Sequence, residues 1–377
     1  MIRISSAFDG GNIHVVSLDN PQDIQLEIRK DAQSDFYQWF YFKLNAPVGA
    51  PVKLTLMNAS GAAYVKGWDE YQAVISADRT TWRRTRTSYL FGRLTISFTP
   101  QSPVTYVAYF APYTWERHND LIASAAASGH FAHRVLGQTL DGRDLDCLSF
   151  GTPGEGKQIC WLIGRQHPGE SMAEWWMEGA IEMLRDTANP VSRALAQSCV
   201  IYLVPNMNPD GTFRGHLRTN AAGVNLNREW AKPTKKRSPE VKVVRDAMDE
   251  TGVDICLDVH GDEALPYNFI AAFEGIPSLK QAQLDTLRYY LDTLEAISPD
   301  FQTRYGYPKT AAGKAHLGMA TNHIAERFGA VAMTLEMPFK DTVDTPDETY
   351  GWSPERCKLL AHSCLHAIAM TVAADQG

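Results

Sequence analysis

The feature that most constrains this 377-residue chain is a change of hydrophobic period near residues 111–116. Upstream, apolar residues come in short aromatic and β-branched runs cut by turn residues: NIHVVSL, FYQWFYFKL, VKLTLMN, LTISF and VTYVAYF. Runs of that kind are strands, so residues 1–112 are expected to form an all-β domain. Downstream, short apolar runs (QICWLIG, CVIYLVP, DICLDVHG, AVAMTLEM) alternate with longer stretches of helical spacing, such as SMAEWWMEGAIEMLRD and SLKQAQLDTLRYYLDTLEAI. This alternation predicts an α/β domain over residues 113–377, with a central sheet covered by helices on both faces.

Composition removes several classes. The formal net charge of -7 gives no general attraction to nucleic acid. No apolar run is read as approaching the roughly 20 residues of a membrane span. The opening MIRISSAFDGGNIHVV lacks the apolar segment of a signal peptide, and the six cysteines are scattered singly inside apolar runs. Buried free thiols and a cytoplasmic location are the expectation. Two basic clusters, RTTWRRTR (79–86) and KPTKKR (232–237), are either solvated surface segments or guides for acidic partners.

Chemistry gathers where the downstream strands end. CWLIGRQHPGE runs out of a strand into His167 and Glu170, just before a helix that Ser171 would N-cap. His260 closes DICLDVHGD and is followed by Gly261. Two imidazoles and one carboxylate leave a fourth position on zinc for water, as in catalytic rather than structural sites. Glu336, the lone acid in AVAMTLEM, is costly to bury without a role and supplies a candidate base. Between these lie NPDG, read as a turn with positive φ at Gly211, and then Arg218, Asn227 and Arg228, two of them guanidinium forks suited to carboxylates or an oxyanion.

In order and separation, HPGE (167–170), PNMNPDG (205–211), the Arg218 segment, NLNR (225–228), DVHG (258–261) and TLEM (334–337) resemble the zinc metallocarboxypeptidases. FDGGNI, QWFYF and YVAYFAPYTW further resemble the cytosolic carboxypeptidase branch. The resemblance implies a mixed central sheet flanked by helices and preceded by a β-sandwich. It implies one Zn2+ per chain on His167, Glu170 and His260, with Glu336 as general base and then acid. Arg218 would polarise the scissile carbonyl, Asn227 and Arg228 would grip the terminal carboxylate, and the partners would be peptide or protein C-termini.

Two positions depart from the family pattern. Asn225 stands where many relatives have an aspartate that orients a zinc-bound histidine, and the amide is expected to accept the same hydrogen bond. No tyrosine stands where the digestive members carry their substrate-covering one, although Tyr305 and Tyr307 lie upstream. Arg304, Lys309, Lys314 and Arg327 fall in the interval that lines the side-chain pocket in relatives, which suggests a preference for C-terminal glutamate or another acidic residue. The alternatives are a zinc deacylase of N-acyl amino acids and a catalytically idle binder of acidic tails.

Overall fold

The computed structural model describes residues 2–375. Residues 3–108 build two five-stranded sheets. One has the spatial order Arg3–Ser5, Tyr41–Asn45, Val104–Ala108, Val74–Ser76, Arg83–Arg84, and the other His14–Ser17, Ile24–Glu27, Val52–Leu56, Arg93–Phe98, Thr87–Leu90. Side chains alternate as the pleat demands: Ile24 and Leu26 are fully buried while Glu27 faces water. Leu44 of the first sheet and Val52 of the second share a cluster with Ala46, so the sheets pack face to face as a sandwich.

The rest of the chain surrounds a seven-stranded sheet. Its order is Phe131–Gln138, Asp144–Phe150, Cys199–Val204, Gln158–Gly164, Ile255–Asp262, Val331–Pro338, Phe269–Ala271. The four strands from Cys199–Val204 to Val331–Pro338 are parallel, and the edges are antiparallel. Every residue of Ile255–Asp262 and Val331–Pro338 is buried, which requires cover on both faces. The mixed sheet follows expectation. Sandwich and sheet also share one continuous core, in which Tyr109 stacks on Phe339 with ring centroids 4.6 Å apart. All six cysteines are buried and free.

Two local expectations need correction. NPDG opens a short helix, Pro209–Arg214, rather than a turn. Asn208 does cap it, accepting from Gly211 N at 3.1 Å, but Gly211 has no positive φ. A Cβ there would lie 2.2 Å from Pro168 Cγ, so space and not torsion requires glycine. The second correction concerns the last helix, Pro354–Asp375, which by length and composition is apolar enough to cross a membrane. Half of its most apolar window is buried inside the protein, and it packs on Met172–Arg185 and Gln281–Ile297.

One buried acid sets a pH dependence of stability. Glu240, near the start of helix Pro239–Thr251, is 1% exposed. Burial raises its pKa from 4.5 to about 7, against the pull of backbone N–H and Asn220, with Asp210 and Asp141 adding repulsion. Below about pH 4.5 the carboxyl is protonated in both folded and unfolded chains. Between about 4.5 and 7 the unfolded chain loses its proton first, so stability falls as pH rises, by on the order of 3 kcal/mol in all. Glu240→Gln is therefore expected to raise the urea midpoint at pH 8 and leave it nearly unchanged at pH 4.5.

Candidate metal centre

The strand Gln158–Gly164 buries Cys160, Trp161, Leu162 and Ile163 and delivers the loop that follows to a fixed place. At the exit Arg165 takes φ 58, a left-handed conformation that non-glycine residues adopt at a cost. Its buried guanidinium folds under the loop. It donates to Pro168 O at 2.9 Å, Tyr113 O at 2.5 Å and Glu174 Oε2 at 2.6 Å. Gly169 N donates to Leu217 O at 2.9 Å, and a Cβ on Gly169 would meet that same oxygen at 2.9 Å. The glycine thus lets the HPGE loop press against the segment carrying Arg218. Ser171 does precede the helix Met172–Arg185, but its backbone is already helical and its hydroxyl donates to Ala111 O instead of capping.

His167, Glu170 and His260 converge, all buried. His167 Nδ1 lies 2.7 Å from Glu170 Oε1, His260 Nδ1 lies 2.8 Å from Glu170 Oε2, and the two Nδ1 atoms are 3.2 Å apart. Each imidazole meets an acceptor behind it. His167 Nε2 is 3.1 Å from Asn225 Oδ1, and His260 Nε2 is 2.9 Å from Asp258 Oδ2. Those acceptors place the ring protons on Nε2, which turns both Nδ1 lone pairs toward each other and toward a carboxylate. Such a donor set calls for a cation. Tetrahedral zinc with Zn–N of about 2.05 Å would hold two nitrogens about 3.3 Å apart, close to the spacing seen. The Glu170 oxygens sit somewhat nearer, at hydrogen-bond distances.

Asn225 therefore does orient a histidine through its amide oxygen, which also accepts from Asn227 N at 3.0 Å. Asp258 and Gln166 were missed in the sequence. Asp258 precedes His260 by two residues on one strand, so period 2 already put both side chains on one face. Gln166 offers no such signal; its amide donates to Asp258 Oδ2 at 2.6 Å and its oxygen accepts from Trp230 Nε1 at 2.9 Å.

Glu336 is the register partner of His260 on the neighbouring parallel strand. Its Oε2 is buried without a hydrogen-bond partner among the described residues, while Oε1 accepts from the Tyr307 hydroxyl at 3.3 Å. Burial pushes its pKa well up, His260 opposes this, and the charges of Glu170, Asp262 and Glu263 add to it. A dication on the triad would draw it back down. The Tyr307 hydroxyl also donates to Asp262 Oδ2 at 2.6 Å. Tyr307, left without a role in the sequence, thus stands at the buried acid.

Arg218 places Nη1 4.0 Å from Glu170 Oε1, with its guanidinium carbon 5.3 Å from the Tyr64 ring centroid and 5.7 Å from that of Phe36. Burial lowers its pKa, but Tyr64, Glu170, Glu263 and Glu336 hold it above the usual value. Asn227 accepts from Ala320 N at 2.8 Å through Oδ1, which leaves its amide N–H groups as donors. Arg228 is exposed and bonded through Nη1 to Asn227 O at 2.6 Å. A cavity of ≈ 1010 Å³ shares Tyr307 and Thr334 with the Glu336 wall. Of the four basic residues expected near such a pocket, Arg304 and Lys309 line it, paired with Asp344 and Glu274. Lys314 is exposed elsewhere and Arg327 pairs with Asp249.

A mixed sheet that presents two imidazoles, a carboxylate and a buried acid at the ends of parallel strands is the framework of a metal-dependent hydrolase. Residues 120–356 match the zinc carboxypeptidase family, and residues 4–110 match the cytosolic carboxypeptidase N-terminal domain. The chain belongs to the zinc carboxypeptidase family and is a zinc-dependent hydrolase. The metallo-carboxypeptidase structure from Burkholderia cenocepacia is 43% identical, covers 100% of both chains and superposes with a TM-score of 0.97. The metallo-carboxypeptidase from Pseudomonas aeruginosa, solved in complex with (2-guanidinoethylmercapto)succinic acid, is 40% identical over 98% of this chain and 99% of its own, with a TM-score of 0.96. Human cytosolic carboxypeptidase 1 is 27% identical over 287 residues, covering 64% of this chain and 23% of the human protein.

Proposed function

We propose that the chain removes single residues from the C-termini of peptides or proteins, with His167, Glu170 and His260 holding one zinc ion. The observation that carries the reading is the pair of inward Nδ1 atoms at 3.2 Å, each with its Nε2 already engaged. When bound, zinc supplies Lewis acidity toward water and the scissile carbonyl. Glu336 takes a proton from the attacking water and returns it to the leaving amine, a role supported by its burial and its unpartnered Oε2. Arg218 donates to the carbonyl oxygen as charge develops there. The Asn227 amide and the Arg228 guanidinium receive the terminal carboxylate.

Tyr307 closes over the acid end of the site, with its hydroxyl shared between Asp262 and Glu336. The cavity beside it takes the departing side chain. We assign residues 1–112 and 113–377 as the two domains, since the last sandwich strand ends at Ala108 and the first helix begins at Trp115. A reducing, cytoplasmic setting suits six free thiols.

An acidic side-chain preference is the finer reading. Its support is Arg288, Arg304 and Lys309 in the cavity lining, offset there by Glu274, Asp285 and Asp292. Because Arg304 and Lys309 already have acidic partners, the expected preference is only a few-fold. Peptides varied at their last residue test both levels by mass spectrometry. Loss of one C-terminal residue is expected, blocked by a chelator and by amidation of the substrate's terminus. Cleavage of the amidated peptide at the same rate would sink the carboxylate clamp, and hydrolysis of N-acyl amino acids alone would replace the proposal with a deacylase.

A further inference from the structure

We infer that the β-sandwich is a working part of the catalytic centre, through Asp31, a positioning residue that holds the turn presenting Arg218. The inference rests on the role proposed above for Arg218. Residues 216–220 lack regular secondary structure, and the N–H groups of Leu217, Arg218 and Thr219 find no backbone acceptor among the described residues. Buried N–H groups need partners. All three converge on one carboxylate from the other domain. Asp31 Oδ1 accepts from Leu217 N at 2.6 Å, and Oδ2 accepts from Arg218 N at 2.8 Å, Thr219 N at 2.9 Å and the Thr219 hydroxyl at 3.0 Å. Successive N–H groups arranged this way form an anion-binding nest, here filled by the protein's own anion. Asp31 is 2% exposed.

Neighbouring contacts extend the grip. Ala32 N donates to His216 Nε2 at 3.0 Å, so His216 Nδ1 carries the proton it shares with Thr219 O at 2.9 Å. Asn12 donates to Gly215 O at 2.9 Å and Gln33 to Ala221 O at 3.1 Å. The sandwich also supplies both rings, Phe36 and Tyr64, beside the Arg218 guanidinium. The α/β domain holds the ends of this turn, through His216 N on Gly211 O, Gly169 N on Leu217 O and the Asn220 bonds, while the backbone N–H groups of residues 217–219 are all held by the sandwich. A donor whose backbone is fixed in this way needs no rearrangement when charge develops on the substrate.

The test is Asp31→Asn in the full chain, which replaces one acceptor oxygen with a donor facing N–H groups. A misplaced catalytic group can cost roughly 10²-fold, so we expect kcat to fall by about 10- to 100-fold with KM changed little. Zinc content should stay stoichiometric, and hydrogen exchange should rise in residues 215–220 but not in Gln158–Gly164. The Arg218→Ala background separates the claims: there, Asp31→Asn should cost nothing further. Wild-type kcat in Arg218→Ala sinks the assignment of Arg218 and with it the inference. Wild-type kcat in Asp31→Asn beside a slow Arg218→Ala, or losses that simply multiply in the double variant, overturn the inference alone. Should Asp31→Asn not fold, Thr219→Ala loosens only the hydroxyl contact. A few-fold fall that disappears in the Arg218→Ala background supports the inference, and a fall that persists overturns it.

Discussion

Replacing Glu336 by glutamine is expected to lower kcat by roughly 10³-fold, within the range general acid–base groups contribute, while zinc content and peptide affinity stay near wild type. The amide keeps the shape of the side chain and can still accept from Tyr307, so packing around the strand Val331–Pro338 should hold. What it cannot do is take a proton from water. The carboxylate is well placed for that exchange because one oxygen is unpartnered and the other is held only by a 3.3 Å bond. Single-turnover kinetics together with metal analysis decide the matter. A variant that keeps its zinc and cleaves at the wild-type rate would remove Glu336 from the reaction.

Replacing Glu170 by alanine should act on the metal itself. Glu170 spans both imidazoles, one oxygen to each Nδ1. Its charge also compensates the cluster: burial pushes its pKa up, but His167 and His260 hold it well below the usual carboxylate range. Removing it leaves two neutral nitrogens and Arg218 facing the cation. Losses of roughly 10–100-fold in metal affinity attend changes to outer partners, and removal of a direct ligand should exceed them. Zinc content after dialysis is expected to fall below stoichiometry, and the zinc-induced rise in Tm should vanish with it. Retention of one zinc per chain through dialysis would show that the triad is not the metal site.

The site was legible in the sequence wherever a residue's place follows from the period of its own element. His260 and Glu336 stand toward the ends of short, wholly buried apolar runs, and HPGE follows an apolar strand that could lie only in the core. Asn225 was readable as an acceptor because its place in the NLNR motif suggested the role and an amide oxygen can fill it. Failures came where the deciding neighbour is distant in the chain. Gly211 looks like a turn residue until Pro168 is brought to 2.2 Å of its would-be Cβ. Tyr307 lies 29 residues before Glu336 on a segment without periodicity, and only folding brings their oxygens to 3.3 Å. Asp31 lies in a connection of the sandwich, 187 residues before Arg218, and no local pattern couples the two.

The pairing of His260 with Glu336 has a consequence for how such a centre can vary. Their backbones are hydrogen-bonded neighbours on parallel strands, so their separation is the sheet's own spacing of about 4.8 Å. That interval comes only in whole steps. A slip of one residue would turn the acid to the opposite face, and a slip of two would carry it a further ~7 Å along the strand. The distance between acid and imidazole therefore cannot drift by small amounts as loops lengthen or pockets are remodelled. Changes to the loops and the cavity lining would leave the spacing of His260 and Glu336 as it is, because the sheet register alone sets it.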